Sequence, residues 1–230
     1  MKTVSFHKHG HAVARIMSTW LAILFLIASC TETKESQWDD GSLRSRISYR
    51  NGELHGTATW FHRNGNKREE FNYSKGVLEG PATRWYYNGN PESEDVYVQG
   101  KRNGTSRSWS EEGVLLKVEN FLNDTLHGPY EQYYPKGSLM VEGRYVKGRY
   151  DGNWRYYNEA GMLAGEGNYV SGTGVLKAFE ITGRLSRIAS YTDNEKHGNE
   201  VWLGPAGDTL RIITYEHGRV VEEDIRQTDQ

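Results

Sequence analysis

Three histidines, His55, His127 and His197, each stand immediately before a glycine, and aligned imidazoles are the first place to look for a metal. Ligands of one ion must converge within a few ångströms. The 72 residues between His55 and His127 amount to three units of the repeat described below, about 29 Å across a sheet with ~4.8 Å between strands. The three cannot share an ion, and the spacing predicts turn histidines bonded to backbone. Four acids, Glu70, Glu94, Glu142 and Glu166, fall in a second regular column. Carboxylates ~5–10 Å apart can hydrolyse glycosidic bonds. That chemistry needs surroundings that push two pKa values apart, and equivalent acids along an open sheet lack them. They are expected to form a solvated ladder balanced by arginines. Neither a Gly-x-x-x-x-Gly-Lys-[Ser/Thr] loop nor a nucleophile-elbow signature occurs. The chain is expected to be no enzyme and to hold no metal or cofactor.

Composition narrows the classes further. The single cysteine, Cys30, excludes an internal disulfide framework and a multi-cysteine zinc site. With 28 Lys+Arg against 30 Asp+Glu there is no basic excess of the kind nucleic acid requires. Hydrophobic residues make up 36%, aromatics 12%, and there are 26 glycines but only five prolines. That balance favours many short strands and tight turns over a thick α/β core.

The elements that position these residues repeat. An aromatic recurs at Tyr49, Tyr73, Tyr97, Phe121, Tyr145, Tyr169, Tyr191 and Tyr215, every 24 residues except for one step of 22 before Tyr191. Gly56, Gly80, Gly104, Gly128, Gly152, Gly174 and Gly198 keep the same rhythm, each followed nine residues later by a second glycine. Each unit holds two short runs separated by dipeptides such as Asn64-Gly65 and Lys136-Gly137, which suit hairpin turns. Glycine falls too often, and without a 3.6-residue stripe, for helices. About fifteen strands in seven 24-residue hairpins over residues 41–218 therefore predict an all-β, elongated, single-layer antiparallel meander. The short step before Gly174 is expected to delete turn residues.

The stretch from Val141 to Trp154, with its Tyr145, Gly148, Asp151-Gly152 and Trp154, resembles the MORN repeat, and the 24-residue period resembles its bacterial variant in the YwqK-type antitoxin proteins. The resemblance covers residues 41 to about 218 and implies a hairpin-repeat architecture; the antitoxin label it carries is an inherited name.

Strand alternation predicts faces. The Tyr column, with Ile47, Leu139, Val141 and Leu163, is expected to pack on one face, and a second column of Phe61, Trp85, Trp109, Tyr133 and Tyr157 is taken as packed as well. Trp60, Tyr86, Tyr130, Tyr134, Trp154, Tyr156 and Trp202 alternate with that second column. They are expected on the open face, where exposed aromatics beside arginines suit a protein partner or a stacked sugar.

The N-terminal 29 residues read as an address. Lys2, Lys8 and Arg15 precede an apolar run, Ile16–Ala28, and no acid occurs before Glu32. Thirteen residues of helix would rise about 20 Å, short of a ~30 Å hydrocarbon core, so the pattern is that of a secretory signal. Leu26-Ile27-Ala28-Ser29-Cys30 resembles the lipobox of bacterial lipoproteins, which implies acylation at Cys30 and membrane attachment through the acyl chains. Thr31 in the next position implies the outer membrane. Residues 30–40 are expected as a flexible tether and 219–230 as a charged tail that guards one end of the sheet. Removing three basic residues with the signal leaves 25 basic against 30 acidic residues, a charge of −5. The reading is a lipid-anchored bacterial envelope protein that binds a protein partner as a scaffold; the alternatives are an antitoxin or immunity protein and a glycan or peptidoglycan binder.

Overall fold

A computed structural model describes residues 30–226; the expected signal segment, residues 1–29, lies outside the described residues. The described chain is one open antiparallel sheet of twenty strands. The first six are β1 (Thr31–Gln37), β2 (Leu43–Arg50), β3 (Glu53–Phe61), β4 (Lys67–Ser74), β5 (Val77–Trp85) and β6 (Pro91–Val98). The next six are β7 (Lys101–Arg102), β8 (Gly104–Trp109), β9 (Leu115–Leu122), β10 (Thr125–Leu126), β11 (Gly128–Tyr133) and β12 (Leu139–Val146). The last eight are β13 (Arg149–Tyr150), β14 (Gly152–Tyr157), β15 (Leu163–Val170), β16 (Thr173–Phe179), β17 (Leu185–Thr192), β18 (Glu195–Leu203), β19 (Thr209–Glu216) and β20 (Arg219–Ile225). Apart from three split strands, each strand pairs with the next in sequence, a meander throughout, and both halves of a split strand pair with the strand before them. The pairs β7/β8, β10/β11 and β13/β14 are single strands interrupted by one residue. Counting each as one leaves fifteen strands between β2 and β19, as the repeat predicts.

The two ends differ from expectation. Residues 31–37 are not a tether but edge strand β1, in register with β2 from Thr31↔Arg50 to Gln37↔Leu43. Residues 219–225 of the charged tail likewise form β20, an edge strand paired to β19; residues 227–230 lie outside the described residues. Polar, charged sequence is compatible with an edge strand because one side of it faces water, and charge there hinders pairing with another chain.

Two kinds of turn alternate. Turns between repeats are two-residue type I′: Asn51 (φ 52°) with Gly52 (φ 84°) is typical, and both positive φ values match the sheet twist. Turns within repeats are longer, as in His62–Asn66, where Gly65 N–H donates to the His62 carbonyl (3.0 Å). Successive turns are stitched together: Asn64 and Asn66 both donate to the Tyr87 carbonyl (2.7 and 3.0 Å), and Asn88 and Asn90 to that of Glu111 (2.8 and 2.9 Å).

Each repeat hairpin carries a one-residue β-bulge just before its turn, at the position of Phe61, Trp85, Trp109, Tyr133, Tyr157, Phe179 and Leu203. The bulge decides the faces. Beyond it Gln132 pairs with Val141, Tyr130 with Gly143, and Gly128 with Tyr145. The even positions of each first strand therefore share a face with the Tyr column, and the Phe61/Trp85/Trp109/Tyr133/Tyr157 column lies on the other. Leu139 pairs with Tyr133 instead of joining the Val141 row. The expected separation of faces is corrected accordingly: a regular hairpin would have given it, and one extra residue inverts it.

The result is a core inside a single layer. Trp154 (2% exposed) and Tyr169 (1%) are buried with Val141, and Tyr130, Tyr145, Tyr150, Tyr156 and Tyr191 pack around them. The Trp154 ring centroid lies 4.5 Å from that of Tyr150 and 4.9 Å from that of Tyr145, both edge-on. Its indole N–H donates to the Arg144 carbonyl (3.2 Å). The ring lies on Gly143 of the adjoining strand, where a Cβ would come within 2.2 Å of it; Tyr169 covers Gly167 in the same way, at 2.6 Å. Missing side chains thus make room for large ones.

The 22-residue step is also resolved. At the other joints between repeats two extra residues, carrying a positive-φ glycine such as Gly56 (φ 87°), bulge out opposite the Tyr column, as between Ile47↔Ala58 and Tyr49↔Leu54. Between β15 and β16 the register runs unbroken and Gly174 has no positive φ. The deletion removes this bulge, not turn residues. Nearby, Asn194 reaches past one turn to another, accepting from Tyr150 N–H and donating to the Gly148 carbonyl (2.8 Å each), while Asp193 pairs with Arg149.

Gly143→Ala is expected to cost about 2 kcal/mol by overpacking and Trp154→Ala about 3–5 kcal/mol, both read from urea unfolding. Burial, then neighbouring phenols, hold the Tyr145 and Tyr169 hydroxyls well above the usual phenol range, as they do for Tyr156. Raised values stabilise the fold fully below pH ~10 and less as pH rises through them. In an alkaline absorbance titration these phenols are expected to ionise only with unfolding.

Candidate functional site: the polar face

The bulge register sorts the seven aromatics expected on an open face. Trp154 is buried, and Tyr130 and Tyr156 belong to its cluster. Trp60 packs on Phe71 of the same face, centroids 5.7 Å apart. Tyr86 and Tyr134 sit in turns, where their hydroxyls donate to the Trp109 and Tyr157 carbonyls of the following repeat (2.9 and 2.8 Å). Only Trp202 of the seven is exposed, at 37%, with the Arg187 guanidinium 5.0 Å from its ring centroid. These residues hold the array together; the structure does not assemble them into one surface.

Two of the three histidines are bonded to backbone as their spacing predicts, although His55 and His197 lie in strands and not in turns. Lys147 N–H donates to His127 Nδ1 and His217 N–H to His197 Nδ1, at 3.4 Å each. Among the described residues no group of three His, Cys, Asp or Glu could hold a metal ion.

The opposite face carries a cross-strand row, one residue per strand: Thr59, Glu70, Thr83, Glu94, Arg107, Val118, Glu131, Glu142, Arg155, Glu166 and Lys177. The four-acid column is part of this row. Thr83 separates Glu70 from Glu94, and Arg155 separates Glu142 from Glu166, which is the arginine-balanced ladder the sequence suggests. Sequence spacing missed Glu131, which faces Glu142 directly because the two come from different strands of a bulged hairpin. Like charges opposed across a pair repel, and here each is satisfied from its own side: Tyr133 OH donates to Glu131 (2.5 Å), and Tyr157 OH (2.7 Å) and Arg155 (3.3 Å) donate to Glu142. The bond to Glu131, then burial, pushes the Tyr133 phenol up to about 12. Tyr133 and Tyr157 of the half-buried second aromatic column thus serve the polar face as donors beside its acids.

Two adjoining depressions, of about 440 and 380 Å³, lie over this row and share Asn153 and Arg155. One is lined by Glu166, Asn168, Val175 and Lys177, the other by Pro129, Glu131, Glu142, Arg144 and Asp151. Together they make a groove across β11, β12, β14, β15 and β16. Its floor sets Glu131 and Glu142 side by side and alternates charge only from Glu142 to Lys177, and Asn168 donates to Asn153 (2.6 Å) beside it. A groove so open and so polar, with paired acids already engaged, suits recognition of a charged surface more than chemistry on an enclosed substrate.

With this geometry in place, the family model for the MORN repeat variant matches residues 54–75, 78–99, 126–147 and 150–171. Each of these four segments is similar to the MORN repeat variant. Each matched MORN segment runs from the first strand of a hairpin to the first residue of the type I′ turn that ends it. The intervening hairpin, β7/β8 with β9, has the same strands and bulge as the matched MORN repeats on either side. The groove lies on the third and fourth matched MORN repeats and the strand that follows them. A search of curated proteins finds no match to the chain.

Beyond the matched MORN repeats, Glu200 is a buried acid (2% exposed) on the aromatic face. Lys196 Nζ and Tyr215 OH lie 2.9 Å from Oε2, and Arg187 3.1 Å from Oε1. Burial pushes this carboxyl up, but those three partners outweigh it and hold it below the usual range. A lowered value gives stability that is complete above the unfolded pKa, ~4.3, and is lost as pH falls through the folded one. Glu200→Gln is expected to flatten the acid limb of a stability-versus-pH curve below pH ~4, with chemical denaturation at each pH as the measurement.

Proposed function

We propose that this protein is a non-enzymatic repeat scaffold of the bacterial envelope, anchored through acylated Cys30 and binding a protein partner on its polar face. The observation that carries the reading is the groove of the third and fourth MORN repeats. It is a long open surface in which Glu131, Glu142, Arg155, Glu166 and Lys177 present both charge signs in fixed order. A fixed order of charges selects a partner by complementarity, and like-charge juxtaposition rejects others. The lipobox-like Leu26–Cys30 and the following Thr31 support an outer-membrane anchor. Neutralising a toxin would be one use of the same surface, with the toxin as the partner.

Arg155→Glu combined with Lys177→Glu reverses two exposed positions of the groove and leaves the Trp154 cluster untouched. Capture from solubilised envelope, with the full chain as bait, is expected to yield a stoichiometric partner that the double variant loses while it still unfolds cooperatively in urea. Retention of that partner by the double variant would move the binding surface away from this groove. Cys30→Ala is expected to release the protein from the membrane fraction, read by fractionation and immunoblot.

A further inference from the structure

The geometry points to a membrane-apposed long edge: the sheet stands on the bilayer along the row of type I′ turns, with both faces held away from it. This rests on the lipid-anchored reading above and adds an orientation to it. Cys30 is followed at once by β1, and its carbonyl accepts the Asn51 N–H (3.1 Å), so it lies at the sheet edge formed by the turns between repeats. No spacer separates an acyl group at Cys30 from the sheet. Whatever lies along that edge is therefore brought to the lipid headgroups.

What lies there is amphipathic. The residue after each Tyr-column aromatic enters the turn, and Val98 (41% exposed), Leu122 (47%) and Val170 (71%) stand out to solvent in three of these turns. Lys75, Lys101 and Lys147 occupy the same set of turns and are exposed. Three of its acids are already engaged: Glu79 accepts the Gln99 N–H (2.8 Å), Asp124 accepts the Arg102 N–H (2.8 Å) and Asp193 pairs with Arg149. The opposite long edge carries Asp39, Asp40, Glu111, Glu112, Glu159, Glu180 and Asp208 in its turns against Arg63, Lys136 and Arg184, so it is net negative, although Ile181 and Met162 are exposed there too. Aliphatic groups settle at the boundary of headgroups and acyl chains while lysines reach anionic phosphates. An edge bearing both faces lipid, and an acidic edge faces away.

The full chain, produced with its signal in a bacterial host, is reconstituted into vesicles of phosphatidylethanolamine with a minority of phosphatidylglycerol. Leu122→Cys, Val170→Cys and, on the opposite edge, Ile181→Cys are labelled with a polarity-sensitive thiol dye. The mass of the N-terminal peptide reports acylation of Cys30 separately. A lipid-borne quencher is expected to quench the dye at 122 and 170 about threefold more than at 181, consistent with shallow interfacial contact. Changing Lys75, Lys101 and Lys147 to Glu is expected to abolish that difference with acylation intact. Equal quenching at all three sites in acylated protein would overturn the orientation. An unmodified Cys30 would overturn the anchor, and the orientation with it.

Discussion

In a strand the side-chain period is two, so a single extra residue reverses the face of everything beyond it. This chain places one such residue in every repeat hairpin, at the same position each time. Within each hairpin the Tyr column and the first-strand aromatics share a face only because of it. With a regular hairpin Trp154 would still share a face with Tyr145 across the type I′ turn, but Tyr169 would lie on the other, and the aromatic core would break between β14 and β15. The same residue sends Tyr133 and Tyr157 to the other face, where their hydroxyls serve Glu131 and Glu142. Core and polar row are two products of one repeated irregularity.

A single-layer sheet has no second layer to bury its side chains, so they must cover one another or the backbone. The solution here is unequal along the array. In the repeats around β12 to β15, strand glycines at 143 and 167 leave hollows that Trp154 and Tyr169 fill, and the adjoining β15/β16 joint lacks the usual two-residue bulge. Toward the C-terminal end the equivalent positions hold Glu200 with its three partners, a charged solution to the same burial problem. Near the start they hold Ala58 and Ala82. Since each repeat touches its neighbours and little else, such local differences give local differences in stability. The groove sits over the best-packed stretch, where a binding surface gains from a rigid support.

Much of the architecture was legible because it repeats. The Tyr and Gly columns carry the hairpin period, and the positive-φ demand of the turns explains the glycines. The faces were not legible, since a bulge leaves no mark that a glycine or proline would; the inserted residues, such as Met140, are ordinary strand formers. Glu131 escaped notice for the same reason, because its partner Glu142 is opposite it only in the bulged register. Residues 31–37 look like linker by composition, yet backbone pairing to β2 needs no apolar side chain on an edge. Sequence could find the columns. Only register could say which columns meet.

That edge strand alters the argument about function. A lipoprotein on a long tether samples many orientations, and its binding face need bear no fixed relation to the membrane. Here Cys30 leads straight into the sheet, and the alternation of the strands means that its two faces differ: one is filled with packed aromatics, the other is a polar row. On the proposed lipid-anchored reading, a partner approaching across the membrane plane would meet the polar face side-on, with the repeat axis lying along the surface. The strand spacing then becomes the ruler of the interaction, one charged position every ~4.8 Å. On the proposed reading, the ordering of Glu142, Arg155, Glu166 and Lys177 across consecutive strands would set specificity in a dimension that no single hairpin could supply.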